Sequence, residues 1–109
     1  MRAEVIQLIK SLTQKTANQN LNWSRTSSES QYKLIFPNNS FITIDNFWHG
    51  GADAMYVSFV IHNEHGDSTE GYSYHEEQDK DMYKFIKNLH AEIRGDNRII
   101  SEMMDFLNN

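Results

Sequence analysis

The chain contains no cysteine, a single proline and no long apolar run, and these absences exclude several classes of protein. Without thiols, the 109 residues can form no disulfide scaffold, no thiolate zinc site and no cysteine nucleophile. Apolar runs of only a few residues predict no membrane-spanning helix. Glu4 and Gln7 interrupt the early apolar positions, which argues against a signal peptide. We therefore expect a cytoplasmic protein that binds no membrane.

The common sequence signatures of enzymes are also missing. There is no phosphate-binding loop, no glycine-rich dinucleotide fingerprint, no nucleophile elbow and no H-E-x-x-H zinc motif. We therefore expect a non-enzymatic protein without a cofactor. A hydrophobic fraction of 39% is sufficient for a core, and the length fits one domain over residues 1–109.

Apolar periodicity divides the chain into helices and strands. Spacings of three and four residues predict helices over 2–17, 78–94 and 97–107. Between the first two helices, alternation of apolar and polar residues predicts five strands, over 21–24, 31–36, 40–47, 54–62 and 69–74. Short connections favour an antiparallel meander. We predict an α+β fold with an N-terminal helix, a five-stranded antiparallel meander sheet and two C-terminal helices packed on one face.

This order of elements resembles a diffuse group of small uncharacterised bacterial and phage proteins. They also consist of a helix, an antiparallel meander and two helices. The resemblance covers most of the chain and implies the fold, but it implies no catalytic residues. It is carried by Leu21-Asn22-Trp23, Tyr32, Ser40-Phe41-Ile42-Thr43-Ile44, Tyr56 to Asn63 with Gly66, and Phe85 to Arg94.

The net charge of −5 is concentrated in one stretch of the sequence. Residues 62–81 contain seven carboxylates and one lysine, which is a net charge of −6. Such a surface repels nucleic acid and favours a protein partner with a basic surface. A solvated turn followed by an acid-rich helix start would explain the same composition.

We predict a partner-binding site from this acidic stretch and from the loop 48–53, where an aromatic residue, a histidine and two glycines occur together. Tyrosine and tryptophan side chains would be its aromatic anchors. A wide hairpin whose Trp48 folds back onto the core is the alternative for the loop. The predicted partner-binding residues are Glu64, Asp67, Glu70, Tyr72, Tyr74, Glu76, Glu77, Trp48 and His49.

Histidines and carboxylates near residues 62–67 support a second hypothesis, a small metal-dependent or acid–base enzyme. His62, His65 and Asp67, with Glu64 beside them, are residue types that bind zinc or manganese. A hairpin that closes over 64–67 places His75 opposite Tyr56 and about 20 Å from His62, so one metal site cannot contain both histidines. Ordinary polar turn residues explain the cluster equally well, and we predict no bound metal.

The last predicted helix has more apolar residues than one packed stripe needs. Met103, Met104, Phe106 and Leu107 predict contact with a second copy of the chain, because methionine-rich faces make adaptable contacts. Packing of all four within the monomer is the alternative.

Together these observations predict an acidic, non-enzymatic protein-binding module. An inhibitor or immunity protein of bacterial or phage origin would have these properties. A phage anti-defence (anti-CRISPR-like) protein that imitates the charge of nucleic acid is a narrower form of the same prediction.

Overall fold

A computed structural model describes residues 1–96 and 98–109 and confirms the predicted α+β fold. The elements in chain order are α1 (Ala3–Ala17), β1 (Ser24–Arg25), β2 (Gln31–Ile35), β3 (Phe41–His49), β4 (Ala54–His62), β5 (Ser68–His75), α2 (Lys80–Arg94) and α3 (Asp96–Asn108). The strands form one antiparallel sheet in the order β1-β2-β3-β4-β5. Each strand pairs with its neighbour in sequence, as expected for short connections.

One face of the sheet, the inner face, packs against α1 and α2. Strand residues alternate between the two faces, so every second side chain of β2, β3 and β4 enters the core. Each fully buried aliphatic or aromatic side chain contributes about 1.5–3 kcal/mol through burial. The core consists of Val5, Ile9, Leu12, Tyr32, Leu34, Ile42, Ile44, Val57, Phe59, Tyr83, Ile86 and Leu89.

The predicted β-hairpin register is confirmed at the β4–β5 pair. Tyr56 lies opposite His75, and β4 has the predicted bounds of 54–62. The β3 strand is longer than predicted, because Trp48 and His49 pair with Met55 and Ala54 instead of entering a wide loop. The loop is therefore reduced to a short turn over residues 50–53.

The first strand is shorter than predicted. Leu21 and Trp23 lie before β1, which has only two residues. The indole Nε1 of Trp23 donates a hydrogen bond to Thr16 Oγ1 at 3.0 Å, so this segment is attached to α1. Side-chain contacts with a helix here replace the strand pairing that alternation alone predicts.

On the opposite, outer face of the sheet, Ala54 is the one buried strand residue among those that the structure describes. Tyr56 and Val60 on β4 are half-buried, and the outward residues of β5 before its last position are exposed. Nearly all the helical residues that pack against the sheet belong to the inner-face core.

The third helix departs from the predicted packing. None of its residues that the structure describes is buried. It follows α2 across Gly95, whose left-handed conformation (φ 78°) ends α2 and redirects the chain. The predicted layer of three helices on one face therefore consists of α1 and α2, while α3 exposes Met103, Met104, Phe106 and Leu107.

Candidate functional site

A cleft at one end of the sheet brings together two separately predicted parts of the binding site. Its volume is about 450 Å³. The antiparallel register creates it, because the end of β3, the start of β4 and the end of β5 meet at this edge. We call it the Trp48 cleft, and its lining residues are Trp48, Ala52, Asp53, Ala54, Met55, His75, Glu76, Glu77 and Gln78.

One wall of the Trp48 cleft is the β3–β4 turn. The backbone N–H of Ala52 lies 3.2 Å from the His49 carbonyl and 3.1 Å from the His49 Nδ1, both of which accept from it. Asp53 has a positive φ of 50°, a conformation that aspartate tolerates better than most residues. His49 therefore shapes this turn, and its ring lies 5.6 Å from that of Tyr56 on the outer face.

The other wall is the β5–α2 turn, which His75 holds in place. Its Nδ1 accepts hydrogen bonds from the backbone N–H groups of Glu77 and Gln78, at 3.0 and 3.1 Å. The Asp79 carboxylate accepts from the His75 N–H at 3.0 Å, and the Glu76 N–H donates to the Met55 carbonyl at 3.0 Å. From the sequence, His75 lies too far from His62 to share one metal site with it. Its position between a strand and an acid-rich helix start is the signal that identifies this turn-forming role.

The electrostatics of the Trp48 cleft combine an exposed indole with carboxylates. The Trp48 residue is 57% exposed, so the predicted alternative in which it folds onto the core is wrong. Asp53, Glu76 and Glu77 line the same cleft. An aromatic face beside several carboxylates suits a cationic side chain, through cation–π attraction and ion pairing.

The remaining acidic residues of the stretch do not join this cleft. Glu64 and Asp67 lie in the β4–β5 turn, at the far end of β5, which at eight residues is about 25 Å long. There, Asn63 Oδ1 accepts hydrogen bonds from the backbone N–H groups of His65 and Asp67, both at 3.0 Å. The stretch of net charge −6 is therefore divided between two ends of the molecule.

Three other predicted partner-binding residues lie on the inner face. Tyr72 and Tyr74 pack beside the core. Glu70 accepts hydrogen bonds from Arg2 and from the Tyr72 hydroxyl. The bond from Arg2, followed by that from Tyr72, lowers the pKa of Glu70 below its ordinary value. In this structure these residues attach β5 to the start of α1 and are not grouped with the cleft.

The residues of the metal hypothesis are not brought together. His62 stacks on Phe41 with ring centroids 4.4 Å apart, and its Nε2 lies 3.1 Å from Thr43 Oγ1. His65 is exposed and pairs with the neighbouring Glu64. Within the described part of the chain, no group of three or more histidine, aspartate or glutamate side chains could hold a metal ion.

A second polar cleft, of about 330 Å³, lies where α2 meets the β1–β2 side of the sheet. Its innermost residue is His90, which is 4% exposed and whose Nε2 donates to the Ser30 carbonyl at 2.7 Å. Burial lowers the pKa of His90, and the positive charge of Arg94 lowers it further. Sequence reasoning missed His90, since it sits next to the apolar stripe of α2 with no other signal.

None of the described helices is long and apolar enough to cross a bilayer. No family model matches the chain, and no curated protein or solved structure matches it either. The function is therefore inferred from the geometry of this chain.

Proposed function

We propose that the protein is a non-enzymatic module that binds a protein partner with a basic surface through the Trp48 cleft. The observation that carries the proposal is the meeting of an exposed indole with Asp53, Glu76 and Glu77 in one cleft. Aromatic residues in the middle of a polar, charged rim are typical of binding hot spots.

A lysine or arginine side chain is the group that this cleft would hold. Its cationic head would lie against the Trp48 ring, with carboxylates around it. Asp79 and Asp81 follow at the start of α2, and Lys80 is the one cation among residues 76–81. This surplus of negative charge would increase the association rate with a basic partner and would weaken in salt.

The supporting turns make the cleft a fixed shape. Backbone hydrogen bonds to His49 and His75 hold both walls before any partner arrives. Preorganised walls reduce the entropy lost on binding. Inhibition is the proposed outcome, in the manner of a bacterial or phage inhibitor or immunity protein, because a module of this size would cover the basic working surface of its partner.

The test is a titration of the protein with a defined arginine-rich peptide and with its glutamine-substituted counterpart. We expect the basic peptide alone to bind and to change the tryptophan fluorescence. Trp48→Ala should reduce affinity by about tenfold or more, as expected for a hot-spot residue. Glu76→Gln with Glu77→Gln should mainly slow association at low salt.

The matched control removes the same charge at the other end of the sheet. Glu64→Gln with Asp67→Asn changes the net charge equally but lies about 25 Å away. Equal effects of the two double variants would show a general charge effect and contradict a site at the Trp48 cleft. Equal binding of both peptides would contradict the proposed partner chemistry.

A further inference from the structure

The α3 helix has an apolar side that lies exposed on the surface of the monomer. At about 100° per residue, the apolar positions from Ile99 onward occupy an arc of about 160°, and the polar positions occupy the rest. The arc is wide enough for a helix that packs against a core, yet these side chains are 40–82% exposed. They are Ile99, Ile100, Met103, Met104, Phe106 and Leu107.

The apolar area that α3 exposes is large for a monomer. Together the six side chains present on the order of 600 Å² of apolar surface, which is at the upper limit of the roughly 300–600 Å² that monomers expose in their largest patch. A helix of 13 residues is also only marginally stable in water without packing. Both facts indicate that α3 is covered in the functional assembly.

The outer face of the sheet is a second unpartnered surface. Phe41, Phe47, Tyr56 and Val60 are half-buried there, and Ile35 at one corner is 58% exposed. Small residues form the floor beside them, because Ser58 pairs with Ser73 and Val60 pairs with Gly71. The half-buried apolar residues and the small residues beside them form a surface on which a helix could lie.

The α3 helix cannot reach the outer face of its own sheet. Gly95 alone connects it to α2, and both helices continue to that residue: the Gly95 N–H donates to the Ala91 carbonyl, and the Ile99 N–H donates to the Gly95 carbonyl. One residue spans at most about 3.6 Å. A helix on the outer face would lie about 20 Å from α2, across two packing distances.

We propose that two copies of the chain dock reciprocally, with α3 of each copy lying across the outer face of the other. Each α3 would bury on the order of 600 Å² and cover a similar area of sheet, so two such contacts bury about 2,400 Å² in total, which is the size of a stable homodimer interface. An α3–α3 pair alone would bury about 1,200 Å², at the low end for specific complexes.

The charges on the two surfaces agree with this arrangement. Lys33 lies on the outer face with its Nζ 4.2 Å from the centre of the Phe41 ring. Asp45, the acidic residue of that face, already accepts a hydrogen bond from Ser30. Glu102 lies at the border of the apolar arc of α3, so a docked α3 would bring this one carboxylate towards Lys33.

The test is sedimentation of the parent chain and three variants at high micromolar concentration. Phe106→Asp alters α3 at a residue that is 82% exposed, so the fold should be unchanged. Gly71→Arg alters the receiving surface, and a Cβ there meets Val60 at an ordinary 3.8 Å, so the monomer accommodates it. Gly50→Arg is the control, since nothing lies within 4 Å of a Cβ at that turn. Circular dichroism confirms that each variant is folded.

We expect the parent and Gly50→Arg to be dimers, and Phe106→Asp and Gly71→Arg to be monomers. A dimeric Gly71→Arg with a monomeric Phe106→Asp would show an α3–α3 pair and overturn the reciprocal arrangement. A monomeric parent, or a dimeric Phe106→Asp, would overturn any dimer built on α3. Peptide binding at the Trp48 cleft is measured separately, so the two proposals can fail independently.

Discussion

At the scale of single residues, histidines have structural tasks that their sequence positions do not reveal. His49 and His75 each use Nδ1 to accept backbone N–H groups in a turn, and His90 donates to the Ser30 carbonyl from within the core. A histidine that accepts through Nδ1 carries its ring proton on Nε2. The turn-forming role of His49 and His75 therefore depends on a free lone pair at Nδ1.

His90 makes the stability of the protein dependent on pH. Its pKa is lowered by burial from the ordinary 6.5, so below about pH 6.5 the unfolded chain takes up a proton that the folded chain resists. The negative charges of Asp45 and Asp96 act in the opposite direction, as does the hydrogen bond to Ser30. We expect the midpoint of thermal unfolding to fall as the pH drops from 6.5 towards the folded pKa.

The measurement is a melting series between pH 7.5 and about 5. His90→Gln keeps a hydrogen-bond donor without the titration and should flatten the dependence over this range. His65→Gln is the matched control, because the His65 side chain is 76% exposed. An unchanged slope in His90→Gln, or an equal change in His65→Gln, would contradict this assignment.

At the scale of elements, the alternation along β4 separates a structural face from an available one. Val57 is fully buried on the inner face, whereas the next residue, Ser58, is half-buried on the outer face. Val57→Asp should unfold the protein, because an unpaired buried carboxylate costs several kcal/mol out of a total of about 5–15 kcal/mol. Ser58→Asp should cost much less. Urea titration compares the two, and similar midpoints would mean that the faces are wrongly assigned.

Local periodicity predicted most elements, because the buried side of a helix or strand places apolar residues at a regular spacing along the sequence. It was sufficient for β4 and for the pairing of Tyr56 with His75. It failed where the partner of a segment is distant in sequence, as when Trp23 bonds to α1 instead of joining a strand. It failed again for α3. The apolar spacing of this helix predicts that one side packs against something, but it does not indicate which part of the fold or which partner that is.

At the scale of the whole molecule, charge counted along the chain is a poor guide to charge in space. The acidic stretch reads as one feature, but β5 lies in the middle of it and holds its two ends apart. Glu70, halfway between them, is already paired with Arg2. The candidate site was therefore predictable in its residue types and in Trp48, Glu76 and Glu77. The extent of the site was not predictable, because the length and direction of β5 decide which carboxylates of the acidic stretch lie close together.

Reciprocal docking also predicts a global property, a thermal stability that rises with protein concentration. A dimer that only folded chains can form stabilises the folded state by mass action. The unfolding midpoint of the parent should increase over a hundredfold range of concentration, about 10 to 1,000 μM, and that of Phe106→Asp should not. A parent midpoint independent of concentration would contradict the prediction.

Gly95 is the single residue between α2 and α3, so a small rotation of its backbone moves the far end of α3 by a large distance. The 13 residues of α3 are about 20 Å long, so a rotation of about 20° at Gly95 moves the C-terminal end of the helix by roughly 7 Å. A Cβ at Gly95 would lie 2.8 Å from the Arg98 guanidinium, in a backbone conformation that side chains rarely adopt. The direction of α3 thus depends on the two backbone dihedral angles of Gly95. A side chain other than that of asparagine would be strained there, and we expect such a substitution to redirect α3 and to leave the core of α1, α2 and the sheet intact.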